Sequence, residues 1–337
     1  MSAAVRIYVI TYRRPHLLER ALRSLLAQTH RDWIATVLND DPADARVAAL
    51  LGQLGDPRLT LEHPAVHRGG TGNFNYAFRA VAEPFASVLE DDNWWEPGFL
   101  AAMLDALARH PAVELACGNE RIWRERAGNE WSDTGRTIWP ATGGEELFGW
   151  QALDKCGGAR LCNSSLVFLT AHATKWRTPA DIPIEVTEHF RERAVPHPFL
   201  LVNAPLVNYA ETLSTHRTQG TAIWGGYQTL LVGSVFTLAP APTRPALARA
   251  LWQSARNRDP LLTRILLQTG RFVPEASDLW QQGRVPAKLR FLAGALRHPC
   301  ATCSIQRFRA RHTAAWSWLL RGAFADFMTR DFGHVRS

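Results

Sequence analysis

The amino-acid sequence predicts an α/β protein, with a mostly parallel, helix-wrapped sheet over residues 1–219 and a helical, basic region over 220–337. Three observations carry this. Short β-branched runs alternate with amphipathic stretches through the first half of the chain. Two of those runs stop abruptly in acids, at Asp40-Asp41 and at Glu90-Asp91-Asp92, as strands of a parallel sheet do where they open onto a ligand edge. Charge then changes sign: residues 216–337 carry 17 basic and 5 acidic side chains, the residues before them 21 and 26. At 337 residues, 46 % hydrophobic and 20 % charged, the chain is globular and long enough for a catalytic domain with an appendage.

The first strand covers 5–11. Tyr12-Arg-Arg-Pro15 turns the chain, and Leu17, Leu18, Ala21, Leu22, Leu25 and Leu26 follow at helical spacing behind a proline suited to the first helical turn. A second strand over 33–38 ends in Asn39-Asp40-Asp41-Pro42. A helix over 47–54 and a short strand over 58–62 come next. Residues 67–73, His-Arg-Gly-Gly-Thr-Gly-Asn, read as a loop before a helix over 74–82, and 85–89 as the fourth strand. Beyond Pro97 the pattern gives a helix over 99–107 and a strand over 113–117. Residues 119–150, rich in Trp, Arg, Gly and Glu with little periodicity, read as a surface insertion near a site. Strands over 164–169 and 199–209 flank a helix over 187–194, and the alternation implies right-handed crossovers.

Beyond residue 220 the pattern is helical. Residues 218–243 contain no charged side chain and could span a bilayer by length, but Gln219, Gln228, Gly225, Gly226, Pro240 and Pro242 favour a buried helix. Residues 286–296 and 313–328 put Trp, Phe and Leu on one face and Arg on another. Packing on a core is the plainer expectation; a peripheral contact at the inner face of a membrane is the alternative. Lysine occurs only at 155, 175 and 288, and the arginines are interleaved with core-forming residues, so nucleic acid is not expected as a partner. An odd count of five cysteines suits a reducing compartment, and Cys300-Ala-Thr-Cys303 lacks the second pair of a zinc site. The N-terminus runs into a strand with no basic leader, which gives the expectation of a cytoplasmic protein.

Three adjacent acids repel one another, and a divalent cation relieves that repulsion at a strand end. Two residues apart on an extended chain, Glu90 and Asp92 point the same way. A solvated acidic turn is the alternative, and the second acidic exit at Asp40-Asp41 weighs against it. One carboxylate at such an edge accepts from a base or ribose while others hold a cation against phosphates. That combination suits a nucleotide diphosphate.

In order and spacing, the first ~215 residues resemble an inverting glycosyltransferase of family 2 with the GT-A fold, a Rossmann-like nucleotide-sugar fold. The resemblance rests on Val9-Ile-Thr-Tyr-Arg-Arg-Pro15, Gln28-Thr29, Asp40-Asp41, Asn75 and Glu90-Asp91-Asp92. It implies a nucleotide site built from Thr11, Tyr12, Arg13, Asp40, Asp41, Asn75 and Asp91, and Mn²⁺ or Mg²⁺ held by Asp92 with Glu90. It also implies that Glu188, in Ile184-Glu-Val-Thr-Glu-His189, deprotonates the acceptor, with Thr187 capping its helix and Glu185 as the competing base. His189 stands where the commoner family form has an acid. Against the longer Asp-x-Asp-Asp form, Glu90 comes first and Asn93 last. His216, in Ser214-Thr-His-Arg-Thr218, matches a loop that closes over the diphosphate, which implies a phosphate or metal contact.

The implied donor is a nucleotide sugar, UDP- or dTDP-linked before others, and the acceptor is a glycan, a lipid-linked sugar, a peptide or a small molecule. A sugar nucleotidyltransferase is the competing enzyme class. It needs a glycine-rich phosphate loop after strand one, where Tyr12-Arg13-Arg14 has none. A non-catalytic nucleotide- or carbohydrate-binding relative is the other alternative. Trp94 and Trp95 serve either as a sugar platform or as core.

Overall fold

The computed structural model describes residues 4–128, 130–151, 153–156, 159–195, 198–213, 222–255 and 260–321, with 325 and 328. The chain divides into two compact units. One comprises Met1–Gly149, Arg160–Ile184 and Val195–His216; the other comprises Trp150–Ala159, Glu185–Ala194 and Arg217–Ser337.

The first unit is built on a ten-stranded sheet. Strands β1 (Val5–Thr11), β2 (Trp33–Asn39), β3 (Leu59–Glu62) and β4 (Phe85–Glu90) are parallel, in the spatial order β3-β2-β1-β4. They are joined by α1 (Pro15–Leu26), α2 (Ala45–Leu54) and α3 (Gly69–Ala77). Central β1 is buried at every residue but Arg6, as a strand covered on both faces must be. Val5, Ile7, Val9, Ala35, Val37 and Leu89 form one apolar face of this sheet, and α1 packs Leu18, Ala21, Leu22 and Leu25 into the same core. Each Val, Leu or Ile among them contributes roughly 1.5–3 kcal/mol by leaving water. Local chemistry sets the ends of the helices. Pro15 opens α1, the Asp44 side chain accepts from the Arg46 N–H at the start of α2, and Gly55 ends α2 at φ 64°.

The sheet continues through β5 (Trp94–Trp95), β6 (Leu115–Arg126), β7 (Glu130–Thr137), β8 (Glu145–Phe148), β9 (Leu166–Leu169) and β10 (Phe199–Glu211), with α4 (Phe99–Arg109) and α5 (Ile184–Ala194) between them in sequence. Beyond β4 the order is β9-β6-β10-β5. Strand β9 runs antiparallel to both β4 and β6, while β6 and β10 are parallel, so the sheet is mixed.

Three local expectations need correction. Residues 119–150 are not an irregular insertion: β6 runs on to Arg126 and folds back on β7, and β8 pairs with β10. Their exposed faces carry Arg, Glu and Trp, which hides the period of two. The glycines at 69–72 lie inside α3, not in a loop before it. Gly70 is there for clearance, since a Cβ would sit 2.7 Å from Ile184 Cδ1. Helix α5 starts at Ile184, directly after Pro183, so Thr187 is a fully buried interior residue and not a cap.

The second unit is helical, with α6 (Ala222–Leu238), α7 (Arg244–Ala255), α8 (Pro260–Phe272), α9 (Ser277–Gln282), α10 (Val285–Arg297), α11 (Pro299–Gln306), α12 (Phe308–Arg311) and α13 (Thr313–Leu319). The uncharged helix α6 is its core element, burying Tyr227, Leu230, Leu231, Val232, Val235 and Phe236. Its glycines admit neighbours: Gly226 faces the Phe308 ring, and a Cβ on Gly233 would lie 2.9 Å from Val273. Inside it, Gln268 Nε2 donates to the Gly225 carbonyl at 2.7 Å. No helix among the described residues is long and apolar enough to cross a membrane.

Candidate functional site

Register brings the site together. Thr11 pairs with Asn39 across β1 and β2, and Ile10 with Glu90 across β1 and β4, so the three strands end flush. The ladder runs one step further, with the Asp40 N–H donating to the Thr11 carbonyl and the Asp91 N–H to the Ile10 carbonyl, both at 3.1 Å. The turns after all three strands therefore crowd one edge, where ligands of open α/β sheets bind.

At that edge Asp91 is fully buried and Asp92 partly exposed. Thr11 Oγ1 donates to Asp91 Oδ2 at 2.8 Å, and the Tyr12 N–H reaches the same oxygen at 3.4 Å. Arg14 grips both acids. Its Nη2 lies 2.6 Å from Asp91 Oδ1, an ion pair off the hydrogen-bond line, and its Nη1 donates to Asp92 Oδ2 at 2.8 Å. Burial pushes the Asp91 carboxyl up to about 7, outweighing the pull of Arg14. Burial also weakens the Arg14 charge, but attraction to Asp91 and then Asp92 prevails and raises it.

Glu90 departs from the expected geometry. Strand β4 ends at Glu90 and the chain turns at once, so the alternation of an extended strand no longer aligns Glu90 with Asp92. Glu90 Oε2 accepts from Ser164 Oγ at 2.9 Å and Asn93 Nδ2 at 3.3 Å, with Cys162 Sγ at 3.4 Å. Asp92 is held from the other side, by Arg14 and by Arg20, whose Nη2 donates to the Asp92 carbonyl at 2.7 Å. The Arg20 guanidinium lies 3.8 Å from the Trp94 ring centre and 3.9 Å from that of Trp131, and burial lowers it to about 10.

Asp40 is buried, and both its oxygens are used. Oδ1 accepts from the Arg68 N–H at 2.8 Å at the start of α3, and Oδ2 lies 3.0 Å from His67 Nδ1. His67 Nδ1 is also 3.1 Å from the Asp40 carbonyl; two acceptors around one nitrogen put the proton on Nδ1. The His67 ring stands 5.1 Å from the exposed Tyr12 ring. Arg13, at φ 58°, holds a left-handed backbone that costs about 1–3 kcal/mol. Its Nε donates to Asp41 Oδ2 at 2.6 Å, and that bond holds the Asp41 carboxyl below its usual range. Thr11, Tyr12, Arg13, Asp40, Asp41, Asp91 and Asp92 thus share one edge.

Asn75 ties down the chain at Thr178, donating to its carbonyl at 2.8 Å and accepting from its N–H at 2.9 Å. Glu188 is half-buried on α5 in the second unit, one turn beyond Glu185. His216 lies outside the described residues. The tryptophan pair splits. Trp95 is core, stacked on Phe99 at 4.6 Å with Nε1 donating to the Ser164 carbonyl, while Trp94 is half-buried beside Arg20.

A divalent cation fits the chemistry of this edge. Arg14 pairs with both Asp91 and Asp92 and is attracted more weakly to Glu90, so three carboxyls share its single charge. Asp92 and Glu90 offer the hard oxygen donors that Mg²⁺ and Mn²⁺ take.

Residues 6–168 match the family model described as Glycosyl transferase family 2. That match covers just under half of the chain. It is 27 % identical over 101 residues to WcaA of Escherichia coli (strain K12), a proposed colanic acid biosynthesis glycosyl transferase. It is 25 % identical over 118 residues to WfgD of Escherichia coli, named as a UDP-Glc:alpha-D-GlcNAc-diphosphoundecaprenol beta-1,3-glucosyltransferase. The matches take in 30 % and 35 % of this chain and 36 % and 46 % of those relatives, so less than half the length of either curated relative is spanned. Among solved structures, S. aureus TarS 1-349 in complex with UDP aligns with 99 % of this chain and 92 % of its own, at 12 % identity and a TM-score of 0.55. That likeness shows the GT-A fold.

Four residues of this edge carried no sequence assignment: Arg14, Arg20, His67 and Arg68. For Arg14 a signal existed, since a basic residue between the first strand and Pro15 must stand at the same edge as the acids. The other three reach the edge from within or before helices, where spacing alone gives no direction.

Proposed function

We propose that this chain is an inverting glycosyltransferase that moves a sugar from a nucleotide-diphosphate donor to an acceptor hydroxyl by single displacement. The observation that carries the reading is the flush edge of β1, β2 and β4, where Asp91, Asp92, Asp41, Tyr12 and Arg14 meet. Tyr12 beside His67 offers a face for the base, and Asp40 holds His67 and the start of α3 in register with it. Thr11 and the Tyr12 N–H fix Asp91, which with Arg14 orients Asp92. Asp92, with Glu90, would hold Mn²⁺ or Mg²⁺, which when bound neutralises charge on the departing diphosphate. Glu188 takes the acceptor proton as the hydroxyl attacks the face of the anomeric carbon opposite the leaving group, with Glu185 as the competing base. UDP is the first donor nucleotide to test, because TarS is described in complex with UDP and with UDP-GlcNAc and WfgD is named for UDP-Glc.

The test is calorimetric titration of UDP, dTDP, GDP and CDP, each with and without Mn²⁺, on the wild type and on Asp92→Ala. Metal-dependent binding of one diphosphate, lost in Asp92→Ala, is expected. Glu188→Gln should keep that binding while turnover falls by about 10²–10⁴-fold. Metal-independent binding, or none, would remove Asp92 from its proposed role; equal losses in Glu185→Gln and Glu188→Gln would remove the distinction between the two bases.

A further inference from the structure

Helix α10 has two apolar faces, and the fold uses one. Phe291 packs near Phe272 and Trp280, and Lys288 Nζ donates to the Gln281 carbonyl, so that side is anchored. No residue of α10 is buried, and Val285, Leu289, Leu292 and Leu296 are 65, 62, 42 and 82 % exposed. Their spacing of four, three and four places them along one stripe. The expectation that residues 286–296 pack wholly on a core fails here, because the anchored side is a different one. Around the stripe, residues 284–311 carry seven Arg or Lys and no Asp or Glu, and Arg284, Arg290, Arg297, Arg307 and Arg311 are exposed.

Charge chooses the occupant. A second copy laid stripe to stripe would bring two acid-free basic surfaces together and be repelled. A nucleic acid would satisfy the arginines and leave the four aliphatic side chains in water. An anionic bilayer satisfies both, taking the stripe at its acyl boundary and the arginines at its phosphates. We propose that α10 seats this protein on an anionic lipid surface. The proposal is independent of the transfer chemistry, and its test uses no nucleotide.

The experiment is co-sedimentation of the full chain with phosphatidylcholine vesicles and with vesicles containing about one-third phosphatidylglycerol. Binding to the anionic vesicles is expected, weakened at about 0.5 M NaCl. Leu289→Ser/Leu296→Ser should bind about tenfold more weakly with an unchanged circular dichroism spectrum and thermal midpoint, both sites lying outside the core. Equal binding to neutral vesicles, or equal binding by the double variant, would overturn the proposal. So would retention on an RNA duplex without vesicle binding, or a wild-type dimer that the double variant dissolves while vesicles stay unbound.

Discussion

Asp91 shows how one residue couples stability to the site. Its carboxyl sits beneath Thr11, the Tyr12 amide and Arg14, in a place that water does not reach, and burial outweighs the attraction of the guanidinium. Because the folded value lies near 7, above the ordinary 3.8, the fold favours the protonated form. That contribution is complete below about 4 and is lost as pH rises through about 7. Asp91→Asn cannot titrate and keeps an oxygen for the Thr11 hydroxyl. Its thermal midpoint relative to wild type should climb by roughly 2–4 °C or more between pH 4.5 and 7.5 and then level off. A constant gap across that range would mean that Asp91 stays ionised in the fold. A cation supplied to Asp92 should narrow the gap above pH 7, since added positive charge favours the Asp91 anion.

Among the elements, α6 and β6 mark what sequence patterns reach and what they miss. Helix α6 was legible as a buried helix because Gln228, Gly225 and Gly226 within it and Gln219, Pro240 and Pro242 beside it contradict a membrane span, and its glycines turn out to be where neighbours approach. An added Cβ at Gly226 would meet the Phe308 ring, itself stacked on His312 at 4.0 Å. Gly226→Ala should therefore cost about 1–3 kcal/mol in urea unfolding. In Gly226→Ala/Phe308→Ala the cost should be less than the sum of the two singles, through coupling of about 0.5 kcal/mol or more. Strict additivity would place the strain elsewhere. Strands β1, β2 and β4 were legible because they are largely buried, and burial on both faces leaves a continuous apolar run. The run of β6 beyond residue 117 and strands β7 and β8 were not, because β7 buries no residue and tertiary pairing alone defines it. The acids of the site were visible by type and place. The arginines that hold them were not, since a helical arginine's reach depends on packing.

At the scale of the whole chain, a single boundary near residue 219 is the sequence's proposal, and the compact units are interleaved instead. Residues 150–159 and 185–194 group with the helical unit although they precede that boundary. Within that unit Phe190, fully buried, lies against Tyr227 and Trp318, and Arg193 donates to the carbonyls of Lys155 and Leu231. Lys155 is buried over the Trp150 ring, donates to the Glu192 carbonyl, and is driven well below its ordinary pKa by burial. A chain ending at residue 219 would lack Tyr227, Leu231 and Trp318, and so expose Phe190 and strip cover from Arg193 and Lys155. Each such uncovered apolar residue gives up roughly 1.5–3 kcal/mol, a large fraction of a domain's net stability. We expect residues 1–219 to be insoluble, or to unfold in urea without the cooperative transition of the full chain. Because α5 also carries Glu188, any nucleotide binding that survives in the shortened chain should come without sugar transfer. Should residues 1–219 instead unfold cooperatively at the full chain's midpoint and turn over donor, the sheet unit is self-sufficient and residues 217–337 serve only other contacts.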